Sequence, residues 1–297
     1  MRYQRLFALL LAVLMLLFLF GCSSSEEGGE NSESRPEGEA MVQTVFQSSR
    51  DEILFSNDAC SVRLVEDGID EWGDYCWTLE LKNMTNSELL ITVDDVYVNE
   101  ISADPYWAEL LASGERMTTS LSWFASLFDD CDIDTVERVD LRLSAYPQGK
   151  PENLVADIEL TVYPGGLEGY TAQSRQWKST DTVLADNALC ALAVVSVEED
   201  SLYGSVEGFD LNLYLENRSE ADVTFTLENV RVNGQSNEPY WYRELAAGKK
   251  YFTNVTWVDS ELAQMEIVQV LNIQFDLVMT DSETGAELYR ETLSFDP

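Results

Sequence analysis

Three aspartates alternate with other residues in the short acidic stretch "DDCDIDTVE". Asp130, Asp132 and Asp134 have the spacing with which a calcium loop presents successive carboxylates, and Ca²⁺ takes oxygen ligands. The glycine expected at the sixth loop position is Thr135 and the glutamate expected at the twelfth is Leu141, so the stretch is not an EF-hand. We therefore predict a solvated acidic loop and no metal site, with weak calcium binding as the alternative.

The residue types that most enzymes rely on are missing or give no pattern. The chain contains no histidine, which excludes Ser-His-Asp triads, Cys-His pairs and histidine-ligated metals. The stretch "PGGLEG" lacks the spacing and the lysine of a phosphate loop. Paired carboxylates can hydrolyse glycosides, but with 54 Asp and Glu residues any chosen pair would be arbitrary. We expect a protein that is not an enzyme and has no cofactor.

One phrase occurs twice, as "DPYWAELLASGE" and "EPYWYRELAAGK". Tyr106, Trp107, Tyr240 and Trp241 could form two aromatic platforms for a sugar ring or a peptide, displayed twice for avidity. The alternative, which the sequence favours, is that both tryptophans close an open end of the fold, because aromatic side chains contribute large burial energies. Exposure of the two tryptophans separates these interpretations.

The phrase belongs to a longer repeat. At a constant offset of 134 residues, 16 of 47 positions are identical between residues 77–123 and 211–257. A unit of about 115 residues is large enough to hold its own core. The repeat is therefore predicted to be a duplicated domain and not a short solenoid repeat.

Both copies have the pattern of an all-β fold. Apolar and polar residues alternate in "WTLELKN", "VDLRLSAY" and "VTFTLENVRVNG", which predicts half-buried strands. About seven short strands per copy predict two tandem Ig-like antiparallel β-sandwiches. "NMTNSE" and "NRSEAD" predict turns between hairpin strands. A short helix is predicted within "SELAQMEIVQV", with Ser260 or Asp259 as its N-cap.

Four cysteines follow Cys22. Cys60 and Cys190 occupy the matching first strands of the two copies, on the apolar face, and are predicted to be buried thiols. Cys76 and Cys131 have no counterpart in the second copy, which suggests a disulfide between them in an exported protein. Free thiols are the alternative.

The N-terminus predicts export. Arg2 and Arg5 precede the apolar run "LFALLLAVLMLLFLF", which is shorter than the roughly 20 residues of a membrane-spanning helix and is typical of a secretory signal. The run ends in "LFGC", which resembles the lipobox of bacterial lipoproteins, with Phe20 in a position that usually holds a smaller residue. The resemblance implies cleavage before Cys22 and diacylation of that cysteine. An ordinary signal peptide or an uncleaved anchor is the alternative.

Charge and composition limit the partners. The stretch "SSSEEGGENSESRPEGEA" after Cys22 cannot bury enough apolar surface to fold, which predicts a disordered acidic tether. The whole chain has 54 Asp and Glu against 18 Lys and Arg, which disfavours nucleic acid and anionic membrane surfaces. The acidity is interpreted as a solubility feature, with recruitment of a basic partner as the alternative.

The lipobox followed by two sandwiches resembles the uncharacterised Ig-like repeat lipoproteins of Gram-positive bacteria. The resemblance covers roughly residues 75–163 and 209–296 and implies a fold and a location but no activity. The predicted organisation is a signal peptide at 1–21, the tether at 22–41, sandwich domains at 42–164 and 182–297, and a linker at 165–181.

We therefore expect a lipid-anchored, non-catalytic binding module for a wall glycan or a protein partner, on the extracytoplasmic face of the bacterial cell membrane. A structural spacer without a ligand of its own is the alternative from another class. A solute-binding subunit fits poorly, because the sequence shows no βαβ pattern.

Overall fold

The computed structural model describes residues 44–46, 51–167, 170–172, 175–199 and 208–297. The predicted signal peptide, Cys22 and the tether lie outside the described residues. Within the described ranges, no helix is both long enough and apolar enough to cross a bilayer.

The strands of the first copy (copy 1) follow one another with one short helix, α1 (Ala125–Asp130), after β8. Their bounds are β1 Thr44–Phe46, β2 Glu52–Ser56, β3 Cys60–Ile69, β4 Tyr75–Asn83, β5 Leu89–Val98, β6 Ile101–Ser102, β7 Ala108–Leu111, β8 Arg116–Trp123, β9 Val139–Pro147 and β10 Ala156–Val162.

The second copy (copy 2) repeats this order, and its helix α2 (Asp259–Gln264) lies 134 residues after α1. The strand bounds are β11 Thr182–Asp186, β12 Cys190–Glu199, β13 Gly208–Asn217, β14 Val223–Val232, β15 Gln235–Ser236, β16 Tyr242–Leu245, β17 Lys250–Val258, β18 Ile273–Asp281 and β19 Glu287–Phe295. The match of elements confirms the predicted duplication.

Each copy is a sandwich of two sheets. In copy 1 the sheet β2-β3-β4-β8 faces the strands β10, β9 and β5, and in copy 2 the strands β11, β12, β13 and β17 face the sheet β15-β14-β18-β19. Within each sandwich the neighbouring strands pair antiparallel, apart from β1, which is parallel to β10. The Ig-like β-sandwich prediction is confirmed.

Strand β4 shows why the period-two pattern was informative. Tyr75, Trp77 and Leu79 point into the core of copy 1, and Cys76 and Thr78 between them are half-buried on the other face. The same alternation in the other strands builds two separate cores, one per copy. Burial of these side chains supplies the main favourable free energy of folding.

One sheet runs through both copies. Strand β6 of copy 1 pairs with β5 on one side and, in parallel, with β17 of copy 2 on the other, where Lys250 lies opposite Ile101. The backbone N–H of Lys250 donates to the carbonyl of Glu100 at 2.9 Å. The resulting order is β1-β10-β9-β5-β6-β17-β13-β12-β11, so backbone hydrogen bonds join the two sandwiches.

The prediction of hairpin turns after Asn83 and Asn217 is wrong. Strands β4 and β5 lie in different sheets, and so do β13 and β14, so each turn crosses the sandwich. The reason is the buried asparagine, whose Nδ2 donates to three carbonyls from two segments. In copy 1 the acceptors are Ser87, Leu111 and Ala112, at 2.8, 3.1 and 3.0 Å. In copy 2 they are Ala221, Leu245 and Ala246, at 2.8, 3.0 and 3.0 Å.

The predicted helix near residue 260 exists, but its predicted cap is wrong. Val258 occupies the N-cap position of α2, and no side chain caps the helix. Asp259 and Glu261 lie instead in the first turn, where their negative charges are favourable beside the helix N-terminus.

We expect Asn83→Ala to lower the free energy of unfolding by about 2–4 kcal/mol, because it leaves three carbonyl acceptors without their shared donor. Urea unfolding followed by tryptophan fluorescence measures the change. The matched control is Asn153→Ala, at an exposed position, which should change stability by less than about 0.5 kcal/mol. Equal effects of the two substitutions would contradict the role of Asn83.

Candidate functional site

The repeated phrase divides into a packed part and an exposed part. Trp241 is buried and Trp107 is half-buried, with its Nε1 donating to the carbonyl of Ser120 on β8 at 3.1 Å. Trp107 therefore covers part of the open edge of β8, which would otherwise offer unpaired backbone groups. Tyr106 and Tyr240 are 92% and 94% exposed. The tyrosines are the free aromatic groups and the tryptophans belong to the fold.

A pocket of about 290 Å³ lies beside Tyr106, where the two copies meet. We call it the junction pocket. Copy 1 supplies the segment Ser102–Tyr106, the end of β8 with Phe124, and Leu127 of α1, and copy 2 supplies Tyr251 and Phe252 from β17. The cavity therefore depends on the contact between the copies.

Trp123 forms a rigid wall of the junction pocket. Its Nε1 donates to the carbonyl of Ala103 at 2.8 Å. Its ring meets Trp77 edge to face with centroids 5.5 Å apart, and lies 5.7 Å from the ring of Tyr75. Such ring contacts stabilise beyond the area that they bury, so this wall is preformed.

The Asp104 turn holds Tyr106 outward. The backbone N–H of Tyr106 donates to Oδ1 of Asp104 at 2.7 Å, and Tyr106 has a φ of +51°. Positive φ at a bulky residue is strained and persists where neighbouring contacts impose it. Burial raises the pKa of Asp104, and the charges of Asp94 and Asp95 raise it further, against the hydrogen bond from Tyr106.

Two further exposed aromatic side chains lie at this end of copy 1. Phe124 is 65% exposed and lines the junction pocket. Trp72, 78% exposed, is at the tip of the β3–β4 hairpin, whose Asp74 accepts a hydrogen bond from the N–H of Ala125 at 2.8 Å. Sequence reasoning missed both. The only signal was an aromatic residue beside a glycine in "DEWGD" and at the end of a strand in "SWFAS".

The matching end of copy 2 is different. At the offset of 134, Val258 stands where copy 1 has Phe124, and it is half-buried. Tyr240 is exposed there as Tyr106 is, and its ring contacts Tyr242 at 5.9 Å. Strand β15, the counterpart of β6, is at the edge of its sheet. The junction pocket thus lies beside the tyrosine of copy 1, and the corresponding Tyr240 lies outside it.

Ionic contacts fix the position of copy 2 on copy 1. Lys249 Nζ donates to Oδ2 of Asp140 at 2.6 Å, and Lys250 Nζ donates to Oε2 of Glu100 at 3.0 Å. Arg138 of copy 1 bonds both carboxylates, Asp140 at 3.0 Å and Glu100 at 3.5 Å. A cleft of about 600 Å³ adjoins these groups. We call these five residues the ionic lock.

The segment predicted as a linker packs between the copies. The Arg175 side chain, 8% exposed, pairs with Asp181 at 3.1 Å and with Asp132 of copy 1 at 2.5 Å. Its guanidinium carbon lies 5.0 Å from the ring centroid of Tyr214 and 5.2 Å from that of Phe252, both in copy 2. Charge pairing and cation–π contacts therefore tie this segment to both sandwiches.

The aspartates considered for calcium do not converge. Asp130 and Asp134 are exposed, and Asp132 is paired with Arg175 and Lys178. Burial favours a higher pKa for Asp132, but hydrogen bonds from Lys178 and Arg175 outweigh it and hold the pKa below its usual value. In the described part of the chain, no three acidic or thiol side chains are grouped as metal ligands.

The suggested disulfide is not present. Cys76 and Cys131 are free thiols, because Cys76 lies on the outer face of β4, 3.1 Å from Ser122 Oγ, and Cys131 is part of the core. Cys60 and Cys190 are fully buried, as predicted, although each occupies the second strand of its sandwich, after β2 or β11. Burial raises the pKa of each of these two thiols to about 11.

We expect Arg175→Met to lower the free energy of unfolding by about 3–5 kcal/mol, because it leaves the carboxylate of Asp181, 1% exposed, without its counter-charge. Lys178→Met is the matched control. Its charge is 53% exposed, so the expected loss is at most about 1 kcal/mol. Urea unfolding of the full-length chain measures both. A loss for Arg175→Met no larger than that for the control would show that the segment does not tie the copies together.

No protein-family model and no curated protein matches the chain. Among solved structures, the YadV chaperone is 10% identical, over 86% of this chain and 98% of its own, with a TM-score of 0.24. The Salmonella enterica SafA pilin in complex with the SafB chaperone is 11% identical, over 75% of this chain and 89% of its own, with a TM-score of 0.20. The partial N-terminal region of the enterococcal surface protein is 9% identical, over 90% of this chain and 98% of its own, with a TM-score of 0.20. Scores this low carry no argument, so the sandwich architecture rests on the strand pairing described above.

Proposed function

We propose that this protein is a lipid-anchored surface module that binds a protein partner without catalysing a reaction. The junction pocket, with the exposed rings of Tyr106 and Phe124 at its border, is the observation that carries the proposal. Exposed aromatic side chains beside a preformed cavity are typical of interaction sites, where one apolar anchor of the partner is buried.

The contrast between the copies supports binding as the role of the pocket. Trp107 and Trp241 pack against the sandwich in both copies and stabilise the fold, so neither ring is the exposed group that a partner would contact. Phe124 has no aromatic counterpart in copy 2, where a half-buried valine occupies the position. A residue that served only to close the sandwich would have no reason to be a larger and more exposed aromatic side chain in one copy.

A structural spacer is the second candidate, and the ionic lock favours it. Backbone pairing between β6 and β17 together with the bonds from Lys249 and Lys250 makes the two sandwiches a continuous body. A rigid body of this kind can also hold the junction pocket away from a membrane. The two roles are compatible, and the experiments below separate binding from spacing alone.

We expect Cys22→Ser to release the protein from the cell membrane into the medium, because two acyl chains on Cys22 supply the stable anchor. Fractionation of cells that express the parent or the variant measures the release. Intact-mass analysis of the parent should find a mature chain that begins with acylated Cys22. A parent chain that keeps residues 1–21 and carries no acyl group on Cys22 would show an uncleaved anchor and contradict lipidation as the means of attachment.

We expect a photo-crosslinking benzoylphenylalanine at position 106 to form a discrete protein adduct in intact cells. The matched position is 240, whose tyrosine is equally exposed but lies outside the junction pocket, and no adduct is expected there. Gel mobility and mass spectrometry identify the adduct.

Adding Phe124→Val to the position-106 protein should abolish the adduct, because it installs the copy 2 residue at the border of the pocket. No labelling at either position would favour the spacer, and equal labelling at 106 and 240 would show that binding does not depend on the junction pocket. An adduct that is removed by glycan hydrolysis and not by protease would show a wall glycan as the partner and overturn the protein partner.

A further inference from the structure

We propose that the junction pocket is an aromatic cage that receives the ammonium or guanidinium end of a lysine or arginine side chain from a basic partner protein. This inference rests on the proposed binding function and names the chemistry of the partner. Its support comes from three features of the pocket: the rings that line it, the sign of its charge and its size.

Aromatic rings provide most of the pocket's large side chains. Tyr106, Trp123 and Phe124 come from copy 1, and Tyr251 and Phe252 come from copy 2. A cation within about 6 Å of a ring centroid is attracted to the negative face of the ring, and desolvation strengthens the attraction. Tyr106 and Phe124, the two exposed rings at the border of the cavity, therefore favour a cation that carries an apolar stem.

The electrostatic charge around the pocket also favours a cationic ligand. No lysine or arginine lines the pocket, and its charged lining residue is Asp104. The whole chain has 54 acidic against 18 basic residues. The field around the pocket therefore attracts basic proteins and repels anionic ones.

Two rings of the junction pocket, Tyr251 and Phe252, already have a cation of their own. Arg175 lies over Tyr214 and Phe252, and Arg243 lies over Trp241 and Tyr251. The positive charge of Arg175 is balanced by Asp181 and Asp132. Among the described residues, no lysine or arginine lies over Tyr106 or Phe124, so these two rings remain available to a cation from outside.

The size of the pocket suits one side chain. About 290 Å³ is at the lower limit of the roughly 300–1,000 Å³ of cavities that hold drug-sized ligands. One wall is preformed, because Trp123 is fixed by its hydrogen bond to Ala103 and by its contacts with Trp77 and Tyr75. A lysine or arginine could place its aliphatic stem against the exposed rings of Tyr106 and Phe124 and its charge near Asp104.

The test uses the full-length chain in uncharged detergent and two fluorescent octapeptides with glycine and lysine in alternation. One peptide has free lysines and the other has every lysine acetylated, which removes the charge and keeps the stem. Fluorescence anisotropy at 150 mM salt measures the affinity. We expect the free-lysine peptide to bind at least about tenfold more tightly, because the acetylated side chain lacks the cation–π attraction.

Variants separate the pocket from general attraction to an acidic surface. Tyr106→Ala and Phe124→Val should each weaken binding of the lysine peptide by about fivefold or more, and Asp104→Asn should weaken it and reduce its salt dependence. Tyr240→Ala is the matched control and should leave the affinity unchanged. Phe124 and Tyr106 are exposed, so the variants are expected to fold, and circular dichroism verifies this.

Several outcomes would overturn the cage. Equal binding of the two peptides would make the pocket an apolar site, and unchanged affinity in Tyr106→Ala and Phe124→Val would make the attraction a property of the whole surface. A further outcome is that the lysine peptide shows no binding while position 106 still forms a Phe124-dependent protein adduct in cells. That result would contradict the aromatic cage for a cation and would still support the proposed binding function. Absence of both signals would remove the two proposals together.

Discussion

The ionic lock between the copies is the interaction on which the candidate site depends. Asp140 is 8% exposed, and a carboxylate at that depth is costly unless several donors satisfy it. Arg138, Lys249 and the hydroxyl of Thr161 do so at 3.0, 2.6 and 2.7 Å. Because charge-assisted hydrogen bonds are short and directional, they fix the register of β17 on copy 1. That register brings Tyr251 and Phe252 of copy 2 to the junction pocket.

The lock is specific to one joint although the two copies share their fold. Glu115 and Arg116 of copy 1 stand where copy 2 has its two lysines, and Gln274 and Gly234 of copy 2 stand where copy 1 has its two carboxylates. A head-to-tail contact between identical units could continue without limit, which is a hazard for duplicated domains. Here only Arg116 keeps a charge of the matching sign, and the outer end of copy 2 has neither carboxylate, so the same contact is less favoured between separate molecules.

The sequence was sufficient to predict the strands and their buried faces, but not how the strands are assigned to sheets or which side chains form the site at the surface. Period-two alternation reports which face of a strand is buried, and this placed Trp77, Leu79 and Cys60 correctly in the core. It cannot report which sheet the next strand joins, because that choice depended on the side-chain bonds of Asn83 to segments far along the chain. The packed role of the predicted linker had no sufficient local signal either, since Arg175 pairs nearby with Asp181 but finds its partners in the two copies 43 residues earlier and 39 residues later.

The repeated phrase itself shows how fold and function were separated after duplication. Its tryptophan, leucine and glycine serve the closing of each sandwich, and this constraint is the same in both copies. Its tyrosine has no contact that the fold requires of it, so its role depends on what surrounds it. In copy 1 the neighbours are Phe124 and the strand β17 of the other copy, and together they make a cavity. The site is therefore a product of the joint between two domains, which is why a pattern found within one domain could locate Tyr106 but not the pocket beside it.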